Sequence, residues 1–166
     1  YGYLTACPTN VGTGMRASAM LHLPGLVMTR GLDRVMHMAE DQEITMRGLF
    51  GEGTQGSGDF YQFSNAVSLG MTEEDLVRSV SEMSVRVAEM ERDTRESLLH
   101  NHPDELCQRV NKGLELLVSA STISSEEALQ LLSQVRLGVE TGIIDGVPLK
   151  QLNQLFLLTL PAHLQT

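Results

Sequence analysis

The segment Cys7-Pro-Thr-Asn-Val-Gly-Thr-Gly-Met-Arg-Ala-Ser18 brings together a thiol, a turn, an arginine and two glycines. Glycine lets the backbone approach a ligand closely, and arginine presents a planar fork of donors to an anion. This mixture is typical of a loop that holds a reactive group beside an anion. The preceding residues, 1–6, alternate like a strand. Because the chain opens within a predicted strand, we expect it to belong to a longer protein.

Composition and charge limit the classes of protein to which this chain can belong. The 166 residues are 42% hydrophobic and carry a net charge of −9. This length suffices for one domain with its own core, while the negative charge argues against nucleic acid or anionic membranes as partners. Cys7 and Cys107 lie far apart and no metal-binding spacing occurs, so we expect free thiols in a reducing cytosol. Without a signal peptide or membrane span in the sequence, we expect a cytoplasmic location.

The distribution of glycine changes near residue 70. Eleven of the fifteen glycines lie within residues 1–70, among short apolar runs, whereas residues 71–166 carry helical periodicity. Alternation predicts strands at 15–23, 43–48 and 59–67. The expected fold class is therefore α+β, within one domain. Residues 1–70 would supply an antiparallel sheet and its loops, and residues 71–166 would supply flanking helices.

Capping signals and apolar spacing predict the helices. Pro24 suits a first helical position, and we expect that helix to run to about Met38. Later helices are expected after a threonine cap at 72, after a break at 101–103, after a capping box at 124–127, and from 149 until Pro161. The apolar stripe at 76, 80, 83, 87 and 90 is compatible with a coiled coil. Single helices packed on a sheet explain it better.

Four polar or reactive residues are candidates for chemistry. Arg16 and Arg47 each lie on the polar face of a predicted strand beside a glycine-rich loop, and they either form surface ion pairs or clamp phosphate oxygens. Glu52, inside the loop 48–58, is either a solvated acid or a carboxylate for a cationic substrate or a proton. Cys7 is either a small buried hydrophobe or a thiolate favoured by arginines and backbone N–H groups. No GxxxxGK[ST] motif occurs, which excludes a Walker-type nucleotide site.

Three blocks of the sequence together resemble the ATP:guanidino phosphotransferases (phosphagen kinases). They are residues 7–18, the run Arg47-Gly-Leu-Phe-Gly-Glu-Gly53 and the run Tyr61-Gln-Phe-Ser-Asn65. Within this superfamily the chain is most similar to the bacterial protein-arginine kinases of the McsB type. The distinguishing marks are Val11, the run Met20-Leu-His-Leu-Pro24, Gly53 after Glu52, and the run Ser133-Gln-Val-Arg-Leu-Gly-Val139.

The resemblance implies a role for each matching position. The fold would be the C-terminal part of a phosphagen-kinase, glutamine-synthetase-like catalytic domain, with the N-terminal part absent. Cys7 would be the reactive cysteine beside the guanidinium substrate, and Glu52 the carboxylate that engages it. The ATP contacts would come from two segments that consist of Arg16, Ala17, Ser18, Ala19 and Met20, and of Arg47, Gly48, Leu49, Phe50 and Gly51. No residue is assigned as a metal ligand.

The implied activity is transfer of the ATP γ-phosphate to arginine side chains of proteins, with ATP and Mg²⁺ as cofactors. The expected partners are arginine-containing protein substrates, and the resemblance leaves open an activator, protein-quality-control partners and a homodimer. We expect these 166 residues alone to be inactive. Two alternatives stay open: a kinase for a small guanidino compound such as free arginine, and a non-catalytic module that binds a partner.

Overall fold

A computed structural model describes residues 12–49 and 57–160, which fall into two compact units. The first unit comprises residues 12–49 and 60–91, and the second comprises residues 57–59 and 92–160. The described strands are β1 (Ser18–His22), β2 (Ile44–Gly48) and β3 (Phe60–Asn65). The described helices are α1 (Pro24–Met28), α2 (Leu32–Glu40), α3 (Glu73–Asn101), α4 (Pro103–Ser119), α5 (Ser125–Glu140) and α6 (Leu149–Thr159). A single turn of 3₁₀ helix, Ser57–Asp59, precedes β3.

The sheet of the first unit is antiparallel, with the order β1-β3-β2 over the described residues. Because β3 is central, Ser64 has Ser18 opposite it on β1 and Thr45 opposite it on β2. Side chains alternate between the two faces of a sheet. Accordingly, Tyr61 and Phe63 are buried on one face, while Ser64 belongs to the other. The predicted α+β class with an antiparallel sheet is confirmed.

One face of this sheet packs against α1, α2 and the first part of α3. The shared core consists of Leu23, Leu26, Val35, Ala39, Ile44, Tyr61, Phe63, Met83 and Val87. Burying an apolar side chain of this size contributes about 1.5–3 kcal/mol. The apolar stripe of α3 thus meets a sheet here, as predicted, instead of a second long helix. The opposite face carries exposed Ser18, Met20 and Arg47.

The predicted helix from Pro24 to Met38 is wrong, because the chain forms two helices there. Pro24 does occupy the first turn of α1, but α1 ends at Met28. Arg30 takes a left-handed φ of 56°, and the N–H groups of Arg30 and Gly31 donate to the carbonyls of Val27 and Leu26. These two bonds form a Schellman motif, which ends a helix. Its left-handed position holds arginine, so the usual glycine signal was missing.

The predicted strands are present but shorter. β1 covers 18–22 of the predicted 15–23, β2 covers 44–48 of 43–48, and β3 covers 60–65 of 59–67. Glu43 and Asp59 do not extend their strands, because both adopt left-handed φ values, 54° and 59°. Such a backbone belongs to turns and cannot continue a β-ladder. Asp59 instead lies in the Ser57–Asp59 turn, within the second unit.

The second unit is helical over its described residues, and the predicted capping box at 124–127 is confirmed. The Glu127 N–H donates to the Ser124 hydroxyl and the Ser124 N–H donates to the Glu127 carboxylate, both at 3.2 Å, which completes the capping box of α5. Pro103 begins α4. Helix α5 packs against α4 and α6 and against the Ser57–Asp59 turn. No helix in the described ranges is both long and apolar enough to cross a membrane.

Candidate functional site

Arg16 and Arg47 line the same cavity at the end of the sheet in the first unit. The cavity has a volume of about 360 Å³ and is bordered by Gly14, Met15, Arg16, Thr45, Arg47, Ser64, Asn65, Ala66 and Ser68. Arg16 immediately precedes β1, and Arg47 lies on β2, on the other side of the central strand. The antiparallel pairing therefore brings together two arginines that are far apart in sequence.

Arg16 is held at this cavity by two residues of β3. Its Nη2 donates a 3.0 Å hydrogen bond to Oγ of Ser64, which is only 1% exposed. The Asn65 carboxamide accepts from the Ala17 N–H at 2.8 Å and donates to the Met15 carbonyl at 3.2 Å. The backbone on both sides of Arg16 is thus bonded to one side chain. These contacts fix the position of the backbone from which the Arg16 side chain projects.

Arg47 is exposed on β2, where it lies opposite Gln62 of β3. Within residues 12–49 and 57–160, neither Arg16 nor Arg47 forms a salt bridge with a carboxylate. The interpretation that these two arginines form surface ion pairs is therefore not supported, because no carboxylate partner lies among the described residues. Two guanidinium groups with no carboxylate partner in this described part of the chain, beside the hydroxyls of Thr45 and Ser64, form a surface that suits the oxygens of a polyphosphate.

Some of the remaining candidate residues lie within the described ranges, and four of them do not. Ser18 and Met20 are exposed on the same sheet face as Arg47, whereas Ala17 and Ala19 alternate with them and are half-buried. Gly48 is buried at the end of β2, and Leu49 follows it. Cys7, Phe50, Gly51 and Glu52 lie outside the described residues. The structure therefore brings together the two arginines and leaves the roles of Cys7 and Glu52 as proposals.

Sequence reasoning missed Ser64 and Asn65 as parts of the site. The block that contains them, Tyr61–Asn65, was used only as a sign of family resemblance. A serine and an asparagine at the end of a strand are ordinary, and only the register with β1 places them beside Arg16. A usable signal existed in the residue types, since asparagine side chains often bond to backbone groups where a ladder ends.

Two family models match the chain, and together they cover most of it. The model for the ATP:guanido phosphotransferase C-terminal catalytic domain matches residues 1–94. The model for the protein-arginine kinase McsB C-terminal domain matches residues 103–166. The first match covers more than half of the chain and contains both arginines of the cavity.

Curated relatives give the same picture. A protein-arginine kinase of Moorella thermoacetica is 49% identical over 164 residues, which are 99% of this chain and 47% of the relative. A protein-arginine kinase of Halothermothrix orenii is 44% identical over 165 residues, 99% of this chain and 47% of the relative. One of Bacillus subtilis is 42% identical over 164 residues, 99% of this chain and 45% of the relative. The chain spans about half the length of the curated relatives it matches.

The resemblance inferred from three short blocks is thereby confirmed, and it extends over both the strand-bearing and the helical parts of the sequence. The match over residues 1–94, together with these relatives, shows that the chain belongs to the ATP:guanido phosphotransferase family.

Proposed function

We propose that this chain is part of a protein-arginine kinase, which transfers the γ-phosphoryl group of ATP to arginine side chains of protein substrates. The convergence of Arg16 and Arg47 on one cavity carries this proposal. Their guanidinium groups would bind the ATP phosphates and offset the charge that develops on the transferred group. The names of the relatives support a protein substrate.

The reaction requires the protein to orient the substrate guanidinium and to accept a proton from it. A guanidinium nitrogen of the substrate attacks the γ-phosphorus, an N–P bond forms, and the P–O bond to ADP breaks. One proton must leave the guanidinium, which is a poor nucleophile while it is fully protonated. By family resemblance, Glu52 would orient the guanidinium and accept that proton, and Cys7 would lie alongside as a thiolate.

Mg²⁺ fits this proposal as a companion of the nucleotide. It is a hard ion that prefers oxygen ligands, and it is commonly held by substrate phosphates and water with few protein groups. It would supply further positive charge to the phosphates when bound. The residues that would meet this complex are Arg16, Arg47 and the hydroxyls of Thr45 and Ser64 at the cavity wall.

The test uses the natural full-length protein that contains this chain. Incubation with Mg²⁺-ATP and an unfolded protein substrate should yield acid-labile phosphoarginine, detectable by ³¹P NMR and mass spectrometry. Arg16→Ala and Arg47→Ala should each lower kcat/KM about a hundredfold or more. Arg78→Ala is the matched control, because Arg78 is exposed on α3 and pairs with Asp75.

Two results would overturn the proposal. Phosphorylation of free arginine without that of proteins would identify a kinase for a small guanidino compound. Absence of phosphoryl transfer and of ATP binding would identify a non-catalytic module. The inactivity of residues 1–166 alone stays a prediction, and the same assay applied to this segment checks it.

A further inference from the structure

We propose that Ser64 and Asn65 are positioning residues that act through Arg16, holding its guanidinium at the phosphate-binding cavity. This inference rests on the proposed function, because it assumes that Arg16 meets a nucleotide phosphate. Neither residue would touch the nucleotide in this role; both would act by orienting Arg16.

The last register pair of β1 and β3 is Ser18 with Ser64. One residue further, the backbone bond from the Asn65 N–H to the Ala17 carbonyl lengthens to 3.4 Å. There the Asn65 side chain takes over, accepting from the Ala17 N–H at 2.8 Å and donating to the Met15 carbonyl at 3.2 Å. The carboxamide therefore continues the pairing past the end of the strand and immobilises both neighbours of Arg16.

Only an amide suits this position. The Asn65 Nδ2 also donates to the Val67 carbonyl at 3.2 Å, so the carboxamide makes one accepting and two donating bonds. Aspartate has almost the same shape but, when ionised, only accepts hydrogen bonds. It would place a carboxylate oxygen against two carbonyl oxygens. Alanine would remove all three bonds without this repulsion.

Ser64 acts on the guanidinium itself. It is buried within the sheet and its hydroxyl accepts one hydrogen bond from Arg16 Nη2. A guanidinium has five N–H donors, and this bond uses one of them. Because the acceptor is a neutral hydroxyl, the bond fixes the direction of Arg16 without neutralising its charge. A carboxylate in this place would compete with the phosphate that Arg16 is meant to bind.

The experiment is a double-mutant cycle on the full-length protein, with Mg²⁺-ATP affinity measured by calorimetry. Ser64→Ala and Asn65→Ala should each raise the Kd for ATP about tenfold in the presence of Arg16. In an Arg16→Ala background the same changes should alter Kd less than about twofold. Ser81→Ala and Asn101→Ala, at exposed positions of α3, are the matched controls.

Further readouts separate positioning from general damage. KM for ATP should rise more than kcat falls, and the urea midpoint of Ser64→Ala should stay near that of the parent. If Asn65→Ala does not fold, Ser64→Ala still completes the cycle, since it removes a single oxygen atom. Equal effects in the two backgrounds, or an unchanged Kd, would overturn the inference.

The outcome also distinguishes this inference from the proposed function. Coupling to Arg16 in ATP binding without phosphoarginine formation would sustain the positioning roles and refute the kinase proposal. Phosphoarginine formation by a protein in which Ser64 and Asn65 show no coupling to Arg16 would sustain the kinase proposal and refute the positioning roles.

Discussion

The hydroxyl of Ser133 on α5 donates a 2.6 Å hydrogen bond to the carboxylate of Asp59, and both residues are buried, at 1% and 4% exposure. Asp59 adopts a left-handed backbone, directly after Gly58, which does the same. Gly58 has no room for a side chain, since a Cβ would lie 2.9 Å from the Leu129 carbonyl oxygen. The Ser57–Asp59 turn is therefore fixed by backbone packing and by one buried polar contact.

Removal of the Ser133 hydroxyl should destabilise the second unit. Ser133→Ala deprives a buried carboxylate of a donor, which costs about 1–3 kcal/mol. Urea unfolding monitored by circular dichroism measures the change. Ser119→Ala is the control, because Ser119 is exposed and its hydroxyl donates a long bond, 3.4 Å, to the Leu116 carbonyl. Equal stability of the two variants would contradict this account.

Asp59 should also make stability depend on pH. Burial raises the pKa of the Asp59 carboxyl above its ordinary 3.8, while the Ser133 hydrogen bond and the charge of Arg109 lower it by less. A group with a higher pKa in the folded state holds more protons there than in the unfolded state. Its ionisation therefore reduces the free energy of unfolding as pH rises from 3.8 to the folded-state pKa, above which the effect levels off.

Asp59→Asn should abolish this decline. Urea unfolding of parent and variant from about pH 4 to about pH 7 gives the difference between the two curves, in which all other titrating groups cancel to first order. Asp75 and Glu127, whose pKa values are lowered by hydrogen bonds from Thr72 and Ser124, belong to this shared background. Parallel curves for parent and variant would show that Asp59 does not titrate as described.

Two helical glycines should differ in how strongly alanine affects stability. A Cβ at Gly138 of α5 would lie 2.2 Å from Val110 Cγ1 and 2.8 Å from Ile144 Cδ1, inside the core. Overpacking of this kind costs about 1–3 kcal/mol, which exceeds the helix-propensity gain of about 1 kcal/mol. Gly138→Ala should therefore lower the urea midpoint.

Gly113→Ala is the matched comparison on α4. There the closest atom to a new Cβ is Oε1 of Gln134, at 2.6 Å, the far end of a flexible side chain. Movement of the amide relieves this clash and leaves a tight contact with Gln134 Cβ at 3.0 Å, which the helix-propensity gain of alanine offsets. The change in unfolding free energy should therefore stay within about 1 kcal/mol of zero. A loss at Gly113 as large as that at Gly138 would mean that local packing does not decide the difference.

Glu91 should be essential for the first unit. Its two carboxylate oxygens accept from the Gly25 and Leu26 N–H groups, both at 2.8 Å, at the start of α1. Glu91→Ala leaves two buried N–H donors without these acceptors and should cost about 3 kcal/mol or more, since bonds to a charged group are the strong ones. Glu89→Ala, at an exposed position of the same helix, is the control. Similar unfolding curves for both variants would refute this assignment.

Local signals in the sequence predicted most of the elements. The capping box at Ser124, the proline start of α1 and the alternation of β2 each depend on a few neighbouring residues. The end of α5 was predictable because Gly142 occupies the left-handed position of its Schellman motif. The end of α1 uses the same motif with Arg30 in the left-handed position. Arginine is not typical of that position, so the residue type did not predict the end of this helix.

The arrangement of the candidate site depended on pairings that a single sequence does not display. Arg16 and Arg47 were identified from their neighbouring glycines, but their shared cavity follows from the order β1-β3-β2. The bond from Arg16 to Ser64 crosses 48 positions of sequence, and that from Ser133 to Asp59 crosses 74. Asp59 was expected to extend β3. A left-handed aspartate in a buried turn has no distinct sequence pattern, so the sequence did not indicate the turn.

The membership of the Ser57–Asp59 turn in the second unit bears on how this family can evolve. The turn lies inside the sequence matched by the catalytic-domain model, whereas its partner Ser133 lies inside the sequence matched by the C-terminal model. Replacing residues 103–166 by the corresponding segment of a relative would also replace the residue that donates to Asp59. A chimera with no hydroxyl donor at 133 should therefore be less stable by about 1–3 kcal/mol, and a neutral residue at 59 should remove this penalty.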